Sequence, residues 1–287
     1  MTRLTATAPA KVNLTLHVTG QRTDGYHLLD SLVVFVDVGD RLTILPAPDL
    51  RLSVGGPFAP GVPTDDRNLV LRAAQALAAV RGVDRGAAIH LDKHLPHAAG
   101  LGGGSADAAQ TLRLLSQLWD VVPLPADHPA VMALGADVPV CLTGPAPLHM
   151  QGIGDQVWAT PPLPDFALVL VNPKVDTATP DVFKALTQKD NPPMDTMPEG
   201  AGVDDLAAWL HRQRNDLLTP ARHIAPQIDR VLDRLRRLPA VKAVGLSGSG
   251  ATCWALVADM AAARQAARAV QVAEMGWWVA PAAVLRG

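Results

Sequence analysis

The chain has 287 residues, 48% of them hydrophobic and 18% charged, with a net charge of −2. That is room for roughly two domains with real cores, and the near-neutral balance argues against nucleic acid or an anionic membrane surface as a partner. No apolar run is long enough to span a membrane, Met1–Pro9 lacks the apolar core of a secretion signal, and Cys141 and Cys253 lie far apart in apolar runs, so a cytoplasmic protein with buried, reduced thiols is expected.

Val12, Leu14, Leu16 and Val18 alternate with Asn13, Thr15, His17 and Thr19. This reads as a half-buried strand, and on parity alone its polar face, with Lys11, is solvated. Asp24-Gly25-Tyr26-His27 is a turn signal holding the single tyrosine. Its rings could stack on a base and bond its edge, or merely anchor a loop. A second strand is expected over 31–38, with a turn at Gly39-Asp40 into a third over 41–45. Residues 46–63 read as loop with a short strand near 51–54. Val70, Ala73, Ala74, Leu77 and Val80 are spaced as a helix, with Asp66 or Asn68 near its start. Residues 88–91 form a short strand.

The most informative segment follows, from Pro96 to Ala109. It places four glycines in five positions (Gly100, Gly102, Gly103, Gly104) and then switches to an alanine- and leucine-rich helical pattern from Ser105. Glycine lets backbone N–H groups approach a ligand with no Cβ in the way. The first turn of the helix adds unsatisfied N–H groups and partial positive charge. Together they can cradle phosphate. No Lys-Ser or Lys-Thr follows, so this is not a Walker A loop, and the G-x-G-x-x-G spacing fails at Ser105. Taken alone, the segment could equally be a flexible turn ahead of a helix.

Ala108, Leu112, Leu115 and Trp119 share one face of that helix. Residues 123–129 are a linker and 130–134 at most a short helix. Asp137, in Gly135-Ala136-Asp137-Val138-Pro139, is either a turn or cap former or a partly buried acid. An ammonium beside it would keep the carboxylate ionised, and an ionised carboxylate can accept the proton of an attacking alcohol. The Gly- and Pro-containing stretch 151–164 precedes an apolar strand over 166–171 and marks a boundary between domains 1–155 and 156–287. Residues 189–202 read as a mobile surface loop. Ile224, Ile228, Val231, Leu235 and Leu238 form a helical stripe. Strands are expected over 241–246 and 253–257, joined by a second glycine-rich loop, Gly245 to Thr252, which is a plain turn or a pocket wall. Asp259 caps a helix to 274, and 277–285 is a closing strand. The order strand, helix, strand, strand, helix, strand fits a split βαβ, ferredoxin-like module. The nine histidines show no metal-ligand spacing.

Taken together, Pro9-Ala10-Lys11-Val12-Asn13-Leu14, Pro96 to Ala109 and Gly245 to Ala251 resemble the three motifs of the GHMP kinases. Within that superfamily Gly20 to His27, Gly102 to Ala109, Gly135 to Pro139 and Thr179-Pro180-Asp181-Val182-Phe183 resemble the branch that acts on a cytidine-diphosphate-linked methylerythritol. The resemblance covers nearly the whole chain and is weakest over 189–212. It implies an α/β (α+β) two-domain fold, with an N-terminal part like the second domain of ribosomal protein S5 and a ferredoxin-like C-terminal part. It implies ATP-dependent phosphorylation of the 2-hydroxyl of the methylerythritol, with magnesium arriving on ATP. The rivals are a homoserine- or mevalonate-type kinase of the same superfamily and a non-catalytic nucleotide-binding protein.

Carried over by position, the resemblance makes Asp137 the base and Lys11 its electrostatic partner. Asn13 holds the methylerythritol part, Tyr26 and Phe183 sandwich the cytosine, and His27 bonds its edge. Thr179, Ser247 and Gly248 border the substrate. Pro96, Ala98, Ala99, Gly100, Leu101, Gly102, Gly103, Gly104, Ser105 and Ala106 wrap the ATP phosphates, with Asn68 and Lys93 near the adenine. Two positions depart from the usual pattern: Ala98 stands where glycine is expected, and Ala106 where serine is frequent. Ala98 demands an ordinary φ there, and Ala106 leaves Ser105 as the hydroxyl for phosphate or magnesium.

Overall fold

The fold is taken from a computed structural model, which describes residues 3–287; the leader reading at Met1-Thr2 lies outside the described residues. The strand expected over 12–19 is interrupted. β1 (Leu4–Asn13) ends before Leu14, and β2 (His17–Gln21) resumes after it. The polar face is buried rather than solvated: Lys11, Asn13, Thr15 and His17 are all enclosed. Each has partners there, which is what makes a buried polar face tolerable. Asn13 Nδ2 donates to Ser31 Oγ (2.8 Å), and Thr15 Oγ1 accepts from Leu32 N (2.7 Å).

β3 (His27–Ala47) runs without a turn through Gly39-Asp40. Gly39 lies so close to the Ala8 carbonyl that a Cβ would collide with it. Asp40 is fully buried, and its Oδ1 accepts from His94 N (2.6 Å) and Leu95 N (2.9 Å). Both residues that resemble a turn signal are therefore there for close approach and for buried bonding. β4 (Arg51–Gly55) follows, then α1 (Leu69–Arg81), which Asn68 caps through Oδ1 to Val70 N at 2.9 Å. After β5 (Gly86–Asp92) comes α2 (Gly103–Trp119), whose Ala108, Leu112, Leu115 and Trp119 are buried as their spacing requires. Two short helices, α3 (Pro129–Met132) and α4 (Asp137–Thr143), are followed by the hairpin of β6 (Leu148–Gly152) and β7 (Gln156–Ala159).

The remaining elements are β8 (Ala167–Asn172), α5 (Thr179–Lys184), α6 (Val203–Leu210), α7 (Leu218–Ile224), α8 (Gln227–Arg236), β9 (Ala243–Leu246), β10 (Cys253–Val257), α9 (Met260–Ala273) and β11 (Trp278–Ala283). The stripe from Ile224 to Leu238 is split between α7 and α8, because Ala225 before Pro226 leaves helical geometry (φ −129°, ψ 81°). Asp259 caps α9 by accepting from Ala262 N at 2.8 Å. Residues 189–195 are tied down rather than loose. Asn191 N and Nδ2 both donate to Val18 O, and Met194 N donates to Asp30 Oδ2 at 2.9 Å.

The chain divides into two compact units, each assembled from separate stretches. The first takes the chain up to Lys11, Gly39–Leu95 and Gly102–Gly144; the second takes Val12–Val38, Pro96–Leu101 and Pro145–Gly287. In the first unit β5 pairs antiparallel with residues 41–47 of β3 and parallel with β4, and α2 packs on α1 and α4. In the second unit β6 pairs antiparallel with residues 29–33 of β3. Its four-stranded sheet has the antiparallel order β11-β8-β10-β9. That is the strand order of the ferredoxin-like module. Its core joins Leu16 and Val18 to Val169, Val171, Val182, Val231 and Leu235. Both cysteines are free and buried, and burial pushes the Cys141 thiol up to about 12. Among the described residues no helix is long and apolar enough to cross a membrane.

Candidate active site

In the first unit the two residues expected to do proton chemistry meet. Lys11 leaves the end of β1 and Asp137 opens α4, and Lys11 Nζ donates to Asp137 Oδ1 at 3.1 Å. The lysine is enclosed, while the Asp137 side chain keeps 38% of its surface open. A desolvated ammonium against a reachable carboxylate holds that carboxylate in one orientation with one oxygen left for a substrate.

The glycine segment stands over this pair. Gly102 precedes α2 with φ +62° and no side-chain cap. A Cβ placed on it would lie 3.1 Å from Lys11 Cε and 3.8 Å from Asp137 Oδ2. Ala106 N is already bonded to Gly102 O (2.8 Å), so the orphan amides of the helix are those of Gly103, Gly104 and Ser105. Gly104 is exposed, Gly103 and Ser105 are half-buried, and Ala106 is buried. The end of α2 that faces Lys11 and Asp137 is thus its positive end, with three N–H groups to offer an anion.

Beneath that end lies a charge cluster that sequence reasoning missed. Lys93 Nζ donates to Asp40 Oδ2 and, at 2.8 Å, to Asp107 Oδ2, and all three groups are buried. Gly103 sits against it: a Cβ there would be 3.4 Å from Asp40 Oδ2 and 3.6 Å from Lys93 Nζ. Burial, with the Asp40 charge, pushes the Asp107 carboxyl up to about 7 despite Lys93, and the two carboxylates raise the Lys93 ammonium against the effect of burial. Asp107 Oδ1 has no hydrogen-bond partner. The signal was present in the sequence, since Asp107 shares its face with the buried Thr111 and Leu114, an acid at a core spacing. Of the two residues assigned to the adenine, Lys93 is therefore held by carboxylates. Asn68 is engaged at both ends, as the α1 cap and through Nδ2 to Pro63 O (2.7 Å).

In the second unit the two other motifs pack on each other. The loop between β9 and β10 grips residues 98–100. Thr252 N donates to Ala99 O (3.2 Å), Ser247 Oγ to Gly100 O (2.7 Å) and Thr177 Oγ1 to Ala98 O (3.3 Å). Pro96, Ala99 and Leu101 are buried there. Ser247 Oγ also accepts from Asn13 N (3.1 Å), so its hydroxyl is a staple between two motifs. Gly248 (φ +54°) lies over the Gly100 carbonyl, and Thr179 Oγ1 is 2.8 Å from Ser249 Oγ. Trp254 Nε1 donates to Asn13 O at 3.0 Å, a support for Asn13 that no motif announced.

Ala98 corrects the sequence expectation. It adopts φ +43°, in the left-handed region, rather than an ordinary φ. The grip on the carbonyls of 98–100 holds it there. Ala98→Gly is therefore expected to stabilise the protein by about 0.5–1 kcal/mol. It removes about 1–2 kcal/mol of left-handed strain against about 0.4–1 kcal/mol of added unfolded-chain freedom. Denaturant melts at constant m-value measure it.

The rings come together in part. His27 and Phe183 stack with centroids 4.7 Å apart and planes 26° from parallel, while Tyr26 is 58% exposed beside them. His27 Nε2 is shut from solvent with no hydrogen-bond partner, and burial, helped by the Lys189 charge, lowers its pKa and keeps the ring neutral.

Comparison with known proteins gives the family. The GHMP kinases N terminal domain matches residues 68–156 and the GHMP kinases C terminal domain matches residues 201–274. A 4-diphosphocytidyl-2-C-methyl-D-erythritol kinase of Jannaschia sp. (strain CCS1) is 56% identical over 280 residues, 97% of this chain and 96% of its own length. One from Ruegeria pomeroyi is 52% identical, covering 98% and 99%. A crystal structure of a 4-(cytidine 5'-diphospho)-2C-methyl-D-erythritol kinase superposes with a TM-score of 0.76 at 33% identity over 98% of this chain and 99% of that one. A homoserine kinase from Cytophaga hutchinsonii shares the fold, at a TM-score of 0.73 and 17% identity over 99% and 95%. With 56% and 52% identity to two such enzymes over nearly its whole length, the chain belongs to the 4-diphosphocytidyl-2-C-methyl-D-erythritol kinases, a branch of the GHMP kinases.

Proposed function

We propose that this kinase moves the γ-phosphoryl of ATP to the 2-hydroxyl of the cytidine-diphosphate-linked methylerythritol, with Asp137 as base and Lys11 as its partner. The observation that carries the reading is the closeness of Gly102 to both side chains: a Cβ placed on it would lie 3.1 Å from Lys11 Cε and 3.8 Å from Asp137 Oδ2. It puts the anion-binding end of α2 and the proton acceptor at one place. Phosphoryl transfer asks a protein mainly for position and charge neutralisation. Asp137 takes the hydroxyl proton as the oxygen attacks phosphorus. Lys11 holds the carboxylate and balances its charge. The amides of Gly103, Gly104 and Ser105 take phosphate oxygens without moving.

Among the described residues no group of three or more His, Cys, Asp or Glu could hold a metal. The residues present suit a magnesium ion that arrives on ATP and keeps most of its waters, with Ser105 Oγ as the protein's donor; such an ion neutralises phosphate charge. Asn13 meets the methylerythritol, Tyr26 and Phe183 meet the cytosine, and His27 bonds its edge. Thr179 and Gly248 border the substrate, and Ser247 acts by holding Gly100 and Asn13. Functionally, residues 1–155 supply the phosphate and proton chemistry, with Asn13, Tyr26 and His27 toward the substrate, and 156–287 the rest of the substrate side, in the cytoplasm.

Two measurements test this. ATP consumption with the cytidyl substrate, homoserine and mevalonate side by side should show turnover of the first alone; turnover of either of the others at a comparable rate overturns the assignment. Tyr26→Ala should raise KM for the cytidyl substrate about 10- to 100-fold, as one stacking contact is worth about 1–3 kcal/mol, with KM for ATP unchanged. An unchanged cytidyl KM removes the sandwich.

A further inference from the structure

α4 carries Asp137 as its first residue, yet it is only seven residues long and has Pro139 in its first turn. A helix that short does not hold its own place. Its burial through Val138, Val140 and Cys141 keeps it on the core. What fixes the far end is Arg113 of α2. One guanidinium nitrogen donates to Cys141 O (3.1 Å), Leu142 O (2.7 Å) and Gly144 O (2.9 Å). These are carbonyls that a helix end leaves without amides, and a cation there also suits the negative end of the helix. Gln110 Oε1 steadies the other nitrogen at 3.4 Å.

The two helices are therefore fastened at both ends. Gly102 meets Asp137 at one end, and Arg113, about 16 Å further along α2 at 1.5 Å per residue, meets the C-terminal carbonyls of α4 at the other. α4 lies beside α2 pointing the same way.

We propose that Arg113 is a positioning residue for phosphoryl transfer: it sets the register of α4 along α2 and so the height of the Asp137 carboxylate against the amides of Gly103 to Ser105. This rests on the reading of Asp137 as the base. A short helix moves as a rigid rod, so slack at Gly144 becomes an equal shift at Asp137, and a misplacement of about 1 Å at a reacting group costs on the order of 100-fold.

The test is a double-mutant cycle with Asp137→Asn, read as kcat and KM at a temperature where circular dichroism shows every variant folded. Arg113→Met should lower kcat about 10- to 100-fold and leave both KM values within about twofold, since it touches neither substrate. Arg113→Lys, which keeps a charged donor, should recover most of the loss. In the Asp137→Asn background Arg113→Met should cost less than about twofold, because there is no longer a base to position. Full cost in that background, or an Arg113→Met enzyme that melts lower but turns over normally, overturns the proposal and leaves Arg113 a stability residue. Near-parental turnover by Asp137→Asn alone instead removes the base. If Arg113→Met does not fold, Arg113→Gln, which keeps one donor, carries the same cycle.

Discussion

Asp137→Asn lowers kcat by about 1,000-fold, with KM for ATP and for the cytidyl substrate within about threefold of the parent. A positioned general base is worth roughly 100- to 10,000-fold. The amide keeps the shape of the carboxylate and can still accept from Lys11 Nζ, so the site is expected to stay assembled. What is lost is the capacity to take a proton. The measurement is steady-state kinetics with each substrate varied in turn. Turnover within a few-fold of the parent would move the base elsewhere, and an increase in KM with kcat intact would make Asp137 a binding residue. Lys11→Met should give a loss of the same kind, since it leaves the carboxylate without its enclosed partner.

The second large effect is on stability. Lys93→Met removes the cation that bridges Asp40 and Asp107, both buried. Breaking a buried ion pair by deleting one partner costs about 3–5 kcal/mol, a large share of the 5–15 kcal/mol that holds a typical domain. The segment His94-Leu95, held by Asp40 Oδ1, and Gly103 against Asp40 should loosen with it, so KM for ATP rises as well. Urea titration measures the first effect and initial rates the second. The cluster also predicts a pH dependence. The Asp107 carboxyl is raised in the folded state to about 7, so between its ordinary value and about 7 the folded chain holds a proton that the unfolded chain has released. This cluster's contribution to stability then falls as pH rises through that window. Asp107→Asn, which mimics the protonated form, should flatten that part of the slope. A parental slope in Asp107→Asn would show that the proton sits elsewhere.

What could be read from the sequence was local. Asp259 announces itself as a cap, and Asp66 or Asn68 as the start of α1, because a cap is a matter of one side chain and the next turn; the structure makes it Asn68. The glycines at 100–104 mark close approach, and the strand-helix order after residue 166 gives the module of the second sheet. Lys11 with Asp137 came from motif resemblance, and the structure puts that pair in contact; the resemblance set Tyr26 and Phe183 about the cytosine with His27 at its edge, whereas here His27 itself stacks on Phe183. The losses have physical reasons. An alternating strand looks the same whether its polar face meets water or buried partners, and Thr15 with Leu32 and Asn13 with Ser31 are contacts across the sheet. Gly39-Asp40 resembles a turn because the residues that make turns are also those that allow backbone contact and fill buried acceptor sites. β6 and β7 were hidden by the glycines and Asp155 of their own hairpin. Arg113, Asp40 and Asp107 lie far from their partners in sequence, and no periodicity links them.

The chain passes between its two units at Lys11, Val38, Leu95, Leu101 and Gly144. On a ribosome adding about 5–20 residues per second, residues 12–38 wait on the order of 10–45 seconds before the strands that bury Leu16 and Val18, the last of them ending at Val257, exist. Vectorial synthesis cannot finish one half before starting the other, and the early apolar segment has to be sheltered meanwhile. Splitting the gene after Gly144 would leave the first polypeptide with the whole of the first unit but would part residues 12–38 and 96–101 from the rest of the second.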